Sequence, residues 1–207
     1  MELLETTREK IKAAALEIFM ERGYDGARMQ EIANRAGANK AMIHYYFSSK
    51  DALFEALIRE TFEELFKLFD EIGDFTYDDP KNWIEKIVHT HFNFIAAHPN
   101  LPRVMVRELN SNNPIVEQVL ADLMKQFGAR RLAMMVSMIT DRIAAGKLRA
   151  IDPKQTLWNI VALNIFYFVF KPFIQAAWPE DVNEEAQLLQ QREQAIIDLL
   201  LYGLLPR

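Results

Sequence analysis

The densest run of side chains able to do chemistry lies between residues 22 and 50. It holds Arg22, Arg28, Arg35, Lys40 and Lys50 against Asp25 and Glu31, a local net charge of +3. Gln30 and Asn39 add amides, and His44, Tyr45 and Tyr46 add an imidazole and two phenols. All of these can hydrogen-bond to phosphate oxygens or to the edges of bases, and Met42 among them can contact a thymine methyl. The run contains no nucleophile with an attendant base. Elsewhere Glu85 and His89 stand four apart on one helical face, with His91 and His98 following. The di-iron pattern needs Glu-x-x-His pairs on two helices, and the chain has none. Cysteine is absent, which excludes thiolate catalysis, disulfide scaffolds and Cys-ligated metals. No enzymatic activity, metal or cofactor is expected.

The elements that must carry these groups are helices. Only 7 Gly and 8 Pro punctuate 207 residues, and strand-like alternation is almost missing. Ile11, Ala14, Ala15, Ile18 and Phe19 recur at steps of three and four, so residues 7–22 form a helix stopped by Gly23 in a left-handed conformation. Residues 29–36 and 40–47 form two short helices joined by Gly37, Ala38 and Asn39, with Asn39 as N-cap. Ser48 and Asp51 resemble a capping box opening a helix to about residue 72, followed by a loop over 73–80. Five further helices are predicted over 81–97, 102–109, 114–145, 153–178 and 184–205. Asn113 with Pro114, Asp152 with Pro153, and Asn183 supply start signals, and Gly146 a stop. The fold class is all-α, with about nine helices. Its expected division is a DNA-reading domain over 1–48 and a larger helical domain over 49–207.

Two short helices joined by three residues and backed by a third form the helix-turn-helix pattern. Gly37 lets the chain reverse tightly, and Ala33 and Ala36 let the helices cross closely. The N-terminal side chains of the second short helix can then enter the ~12 Å major groove. The stretch GYDGARMQEIANRAGANKAMIHYYFSSKDALFEAL resembles the DNA-binding segment of the TetR family of bacterial repressors. Gly23-Tyr24, Ile32-Ala33, Ala36-Gly37, Ile43, Tyr46-Phe47, Lys50 and Leu53 carry the resemblance, which covers about residues 7–58. Three positions depart from the family pattern: Ala27 replaces a Thr, Ala41 a Gly or Pro, and His44 a Tyr. Arg28 offers a phosphate contact in place of the missing Thr.

The resemblance implies roles. Lys40 is placed to read a base edge, Met42 a thymine methyl and Gln30 an adenine. Arg28, Asn39, His44, Tyr45, Tyr46 and Lys50 join the DNA-binding set, mainly at phosphates. The later helices are expected to enclose an effector cavity for an apolar or amphipathic small molecule. His91, Ile95, Met105, Leu109, Met134, Met138, Asn164 and Phe168 are its candidate contacts. Leu189, Ile196, Ile197, Leu200, Leu201 and Leu204 form an apolar stripe near the C-terminus, expected to join two copies as a homodimer. Such a dimer would present two recognition helices to half-sites ~34–36 Å apart on double-stranded operator DNA. A regulator without small-molecule control, acting through protein partners, is the alternative reading.

Charge and hydropathy bound these expectations. The whole chain carries −5, which alone argues against nucleic acid as a partner. The location of the charge matters more, because the +3 segment lies inside an otherwise acidic chain. The start MELLETTREKIK has no apolar stretch and does not read as a signal peptide. The longest uncharged run, residues 155–170, is shorter than the ~20 residues of a membrane span and is expected to be a buried helix. The protein is therefore expected in the cytoplasm, with no membrane partner.

Overall fold

The structure, a computed structural model, describes residues 2–71, 79–178 and 185–206, and side chains from residue 7 onward except Glu71. Among the described residues ten α-helices are formed: α1 (Glu2–Gly26), α2 (Met29–Ala36), α3 (Lys40–Phe47), α4 (Lys50–Glu71), α5 (Pro80–Ala97), α6 (Leu101–Asn110), α7 (Pro114–Leu123), α8 (Ala129–Ala144), α9 (Pro153–Ala177) and α10 (Glu185–Leu204). A π-helical turn, Met124–Gly128, joins α7 to α8. With α7, the π turn and α8 taken as one rod, nine helical rods and no strand are present among the described residues, as the apolar periodicity predicts. Most of the loop expected over 73–80, and Asn183 as a cap, lie outside the described residues.

By packing, the chain divides into two compact units. The first contains residues 1–64 and 100–126, the second 65–99 and 127–207. In the first, α1 packs against α2, α3 and α6, and α6 against α7. Ile11, Ala14, Ala15, Ile18 and Phe19 are all buried, the inward face of α1 that their spacing requires. Phe19 meets Phe54 edge-on at 4.8 Å, and Tyr24 completes an aromatic cluster with both. Each of the two fully buried rings, Phe19 and Phe54, contributes about 1.5–3 kcal/mol of transfer free energy. Arg8 and Lys12 of α1 bind the Glu60 carboxylate of α4, Lys12 at 2.7 Å. Burial alone would raise the Glu60 carboxyl, but these two cations outweigh it and hold the group below its ordinary range.

Gly23 breaks α1 in a way the sequence only half anticipates. Its φ of 72° is positive as expected, but its ψ of 174° is extended rather than left-handed helical. That combination is essentially restricted to glycine, and the chain leaves it in a new direction. A Cβ there would lie 2.7 Å from the Arg107 guanidinium of α6. Arg107 can swing aside, so backbone strain dominates the cost of a substitution. Gly23→Ala is expected to lower stability by about 1–3 kcal/mol, read as a lower midpoint in urea at unchanged m-value.

The caps follow the sequence with one shift. The Asn39 side chain accepts from Met42 N at 2.8 Å, and Asn113 and Asp152 accept from Ile115 and Lys154. Gly37 closes α2 at φ 63° and ψ 27°, the left-handed conformation its position demands. At α4 the cap is Ser49 rather than Ser48, with Ser49 Oγ accepting from Ala52 N at 3.1 Å. Ser48 instead takes the turn itself, at φ 45°.

In the second unit, α5 packs against α9 and α10, and α8 against α9. Trp83, Ile84, Ile87, Val88, His91, Phe92 and Ile95 form the buried stripe of α5. Phe92 meets Phe168 of α9 at 5.4 Å. The expectation that residues 155–170 are buried needs correction. The helix holding them is long and apolar enough to cross a membrane, yet only 22% of its most apolar window is buried in the chain. Trp158, Phe166, Phe170 and Phe173 stand exposed on it.

Candidate nucleic-acid interface

Three helices build the interface. Ile43 and Phe47 anchor α3 in the core of the first unit, and Arg8 caps the Phe47 ring at 5.2 Å. With those two positions inward, Lys40, Ala41, His44 and Tyr45 are exposed, and the steps between them place all four on one outward face. Tyr45 is 78% exposed, the largest value among the big apolar side chains of the described residues. Met42 and Tyr46 flank that face half-buried, and Tyr45 meets the Tyr46 ring edge-on at 5.2 Å. The face is eight residues long and carries a cation at its first turn, the shape and charge that suit entry to a major groove.

The side chains around it are less free than their types suggest. Asn39 spends its oxygen on the α3 cap. His44 Nδ1 lies 2.9 Å from the Ser48 carbonyl, which orients the imidazole. Gln30 donates to Asn34 Oδ1 at 3.0 Å across one turn of α2, so reaching a base requires this bond to open. Arg28 is exposed at the start of α2 and forms no side-chain cap. Ala27 beside it is buried, and the first N–H groups of α2 keep the donor character of a helix N-terminus.

The basic patch is smaller than a residue count implies. Arg22 pairs with Glu31 at 3.1 Å, and Arg35 pairs with Glu21 at 2.5 Å and Glu17 at 3.6 Å. The Arg35 hydrogen bond holds the Glu21 carboxyl below its usual range. Lys50, expected at a phosphate, donates to the carbonyls of Tyr24 at 2.8 Å and Ala27 at 3.4 Å and lies over the Tyr24 ring at 4.2 Å. These carbonyls stand at the end of α1, where the Tyr24 oxygen also accepts from Ala27 N at 3.3 Å. Two of its three donors are engaged there, so a phosphate contact from Lys50 falls to the third. Among the described residues, Arg28 and Lys40 are left as the cations of this segment without an acceptor.

A buried carboxylate supports the head from α6, and sequence reasoning missed it. Glu108 is 3% exposed, and its Oε1 accepts from Tyr24 N at 2.9 Å, the first amide after the break. Oε2 accepts from Asn113 Nδ2 at 2.9 Å. Arg107 next to it donates to the Met20 carbonyl at 3.4 Å. The signal was present. Leu101, Val104 and Met105 set the buried stripe of α6, and Glu108 falls on that stripe at a position where the period demands an apolar residue.

The candidate effector residues are only partly brought together. His91 and Asn164 are buried and bonded at 2.9 Å, with Ile95 and Phe168 buried in the same unit. Met138 is half-buried there, and Met134 is 44% exposed. Met105 and Leu109 belong to the first unit, the former buried and the latter 43% exposed. An open cleft of about 570 Å³ lies between α5 and α10, lined by polar groups including Glu85, Lys86, His89 and Glu193, and none of the effector candidates lines it.

The candidate dimer stripe faces inward. Ile196, Ile197, Leu200 and Leu204 are buried within the single chain, and Leu189 and Leu201 are half-buried. The four covered residues offer no new surface to a second copy, while Leu189 and Leu201 keep part of theirs. The most exposed large apolar side chains on α10 are Leu199, at 57%, and Tyr202, at 72%.

Comparison with known proteins agrees with this architecture. Residues 11–57 match the family described as bacterial regulatory proteins, tetR family, and residues 58–207 match the YcdC-like protein, C-terminal region. The HTH-type transcriptional regulator RutR of Escherichia coli K12 is 27% identical over 203 residues, 97% of this chain and 91% of that protein. The HTH-type transcriptional repressor NicS of Pseudomonas putida is 29% identical over 105 residues, 49% of this chain and 48% of that protein. The fold is shared with FadR from Bacillus subtilis, solved with stearoyl-CoA, at TM-score 0.67 and 21% identity, covering 94% of this chain and 98% of that one. FadR from Bacillus halodurans shares it at TM-score 0.63 and 18% identity, covering 92% and 94%. The head of this chain and its remaining helices are thus each matched along their length, and the chain belongs to the TetR family of bacterial regulatory proteins.

Proposed function

We propose that this transcriptional regulator is a cytoplasmic, non-enzymatic repressor that binds a near-palindromic operator as a homodimer and is released by a small apolar or amphipathic effector. Residues 1–48 read DNA, and residues 49–207 take the effector and dimerise. The observation that carries the reading is the outward face of α3, with Lys40 and Tyr45 exposed and Ile43 and Phe47 holding the helix from beneath. Lys40 reads a guanine edge, and Tyr45, His44 and Arg28 position the head at phosphates. The exposed aromatics of α9, Trp158, Phe166, Phe170 and Phe173, fall within about a third of the helix circumference and form the dimer face, with Phe166 and Phe170 stacked at 4.5 Å. An effector acts by binding the DNA-incompetent conformation more tightly than the competent one.

The test is a gel shift on a duplex selected from a random pool with the wild-type protein. Lys40→Ala combined with Tyr45→Ala alters two exposed side chains and leaves the core intact. The double variant is expected to lose about 100-fold in affinity, from one base contact and one backbone contact. Unaltered binding would remove α3 from the interface.

A further inference from the structure

We propose, on the DNA-reading function set out above, that His44 makes operator binding proton-linked. Its imidazole holds a DNA phosphate in the cationic form alone. Each head therefore takes up a proton from solvent as it docks, and affinity rises as the pH falls. This deepens that function by assigning the charge of one backbone contact.

The charge follows from which ring nitrogen is already in use. His44 stands on the outward face of α3, exposed beside Tyr45 and about one turn from Lys40. Its Nδ1 lies 2.9 Å from the Ser48 carbonyl oxygen. A carbonyl only accepts, so Nδ1 carries the hydrogen and donates it. A neutral imidazole has a single N–H, which leaves Nε2 with a lone pair and no donor. A phosphate oxygen is likewise an acceptor, so the neutral ring and a phosphate offer each other nothing. Protonation of Nε2 creates a charged donor and leaves the bond to Ser48 intact. The resulting charge-assisted bond is of the stronger class.

The turn keeps the ring in this tautomer. Ser48 N donates back to the His44 carbonyl at 3.0 Å, so the two residues are joined once through the backbone and once through the ring. Ser48 sits at φ 45° and ψ −48°, a conformation rarely taken by residues other than glycine, and the second bond supports it. Turning the ring over to present Nδ1–H to DNA would give that bond up. A tyrosine, the residue of related heads at this position, donates a hydroxyl hydrogen without any such requirement.

Among the described residues no carboxylate is bonded to the ring. α1 and α2 pack against α3, and α4 follows it. Arg8 and Lys12 of α1 bind Glu60, Arg22 pairs with Glu31, and Arg35 pairs with Glu17 and Glu21. At the start of α4, Lys50 donates to backbone carbonyls and Asp51 accepts from the Tyr24 hydroxyl. The exposed charges beside these pairs are Asp25, Arg28 and Lys40. The anion that meets an imidazolium here is therefore the phosphate itself, and protonation and docking reinforce one another. The added affinity is present at low pH and is lost as the pH rises through the range, about 5 to 8, in which histidine changes charge.

The experiment measures fluorescence anisotropy of the intact protein on a duplex selected from a random pool at pH 6. Titrations are run at pH 6, 7 and 8 and at two salt concentrations. Wild-type Kd is expected to be about 30-fold lower at pH 6 than at pH 8. Its dependence on salt should be steeper at pH 6, by roughly 2 in the log–log slope, from one further phosphate per head of a dimer. His44→Tyr and His44→Gln carry a neutral donor at every pH, and their Kd is expected to stay constant within about threefold. Both replace an exposed side chain, and urea midpoints verify that they are folded. The proposal is overturned if wild-type affinity and salt slope are the same at pH 6 and pH 8. It is overturned equally if either variant keeps the wild-type pH dependence, which would put the proton on another group. A wild type indifferent to pH whose base preference changes with His44→Gln would assign Nε2 to a base amino group instead. In those cases the duplex is still bound and the DNA-reading function stands. A wild type that selects no duplex removes that function, and this proposal with it.

Discussion

Phe166→Glu combined with Phe173→Glu should convert the protein to a monomer and weaken operator binding by about 10³-fold. Both side chains are exposed in the single chain, Phe166 by 50% and Phe173 by 66%, so their replacement removes no core side chain and loses within the chain only the surface stack of Phe166 on Phe170. Their burial in a dimer is a different matter. Two carboxylates on each copy, brought face to face with their symmetry mates, would lose hydration and repel one another. Separated heads each bind a half-site alone and forfeit the effective concentration that linkage supplies, which is worth 10²–10⁴ in affinity. Sedimentation at micromolar concentration reads the first effect and a salt-matched gel shift the second. A variant that remains dimeric would place the interface elsewhere, and a monomer with undiminished affinity would show that one head suffices.

The second large effect is expected from Glu108→Ala, at roughly 2–5 kcal/mol of lost stability. The substitution removes two acceptors at once and leaves Tyr24 N and Asn113 Nδ2 unpaired beneath α6, each at about 1–3 kcal/mol. Glu108→Gln gives the diagnostic comparison. Its oxygen can still accept from Tyr24, but its NH₂ confronts the Asn113 NH₂, whose own oxygen is engaged by Ile115 N at 3.0 Å. About half of the loss is therefore expected. Urea unfolding of the three proteins measures the order, and equal stability of all three would mean that the carboxylate supports nothing. Since Tyr24 follows the break in α1, operator affinity should fall in the same order at temperatures where every variant remains folded.

The head was legible in the sequence because local signals specify it. Apolar steps fix the inward face of α1, Gly37 fixes the turn, and Asn39 caps α3 where an Asn is expected. What escaped depends on partners distant in the chain. Arg35 reads as a DNA-facing cation until α1 brings Glu17 and Glu21 beside it. Lys50 reads likewise until the Tyr24 and Ala27 carbonyls at the end of α1 engage its ammonium. The stripe on α10 is apolar by residue type, but periodicity cannot say whether such a face meets its own chain or another. Ile196 and Leu200 meet their own. The rod expected over 114–145 was legible in its ends and not in its π turn, since Met124 to Gly128 carries no residue that interrupts an α-helix by type except the glycine.

The route of the chain has a consequence for anyone building chimeras of this regulator. The first compact unit is assembled from residues 1–64 and from 100–126, and α6 covers part of α1. A graft that exchanges only residues 1–48 with a relative would seat a foreign α1 on the native α6. It would pair a foreign residue with Glu108 and a foreign residue 23 with Arg107. Operator specificity is therefore transplantable as two segments and not as one cassette, and a swap that carries α6 along with the head should fold better than one that stops at the end of α3.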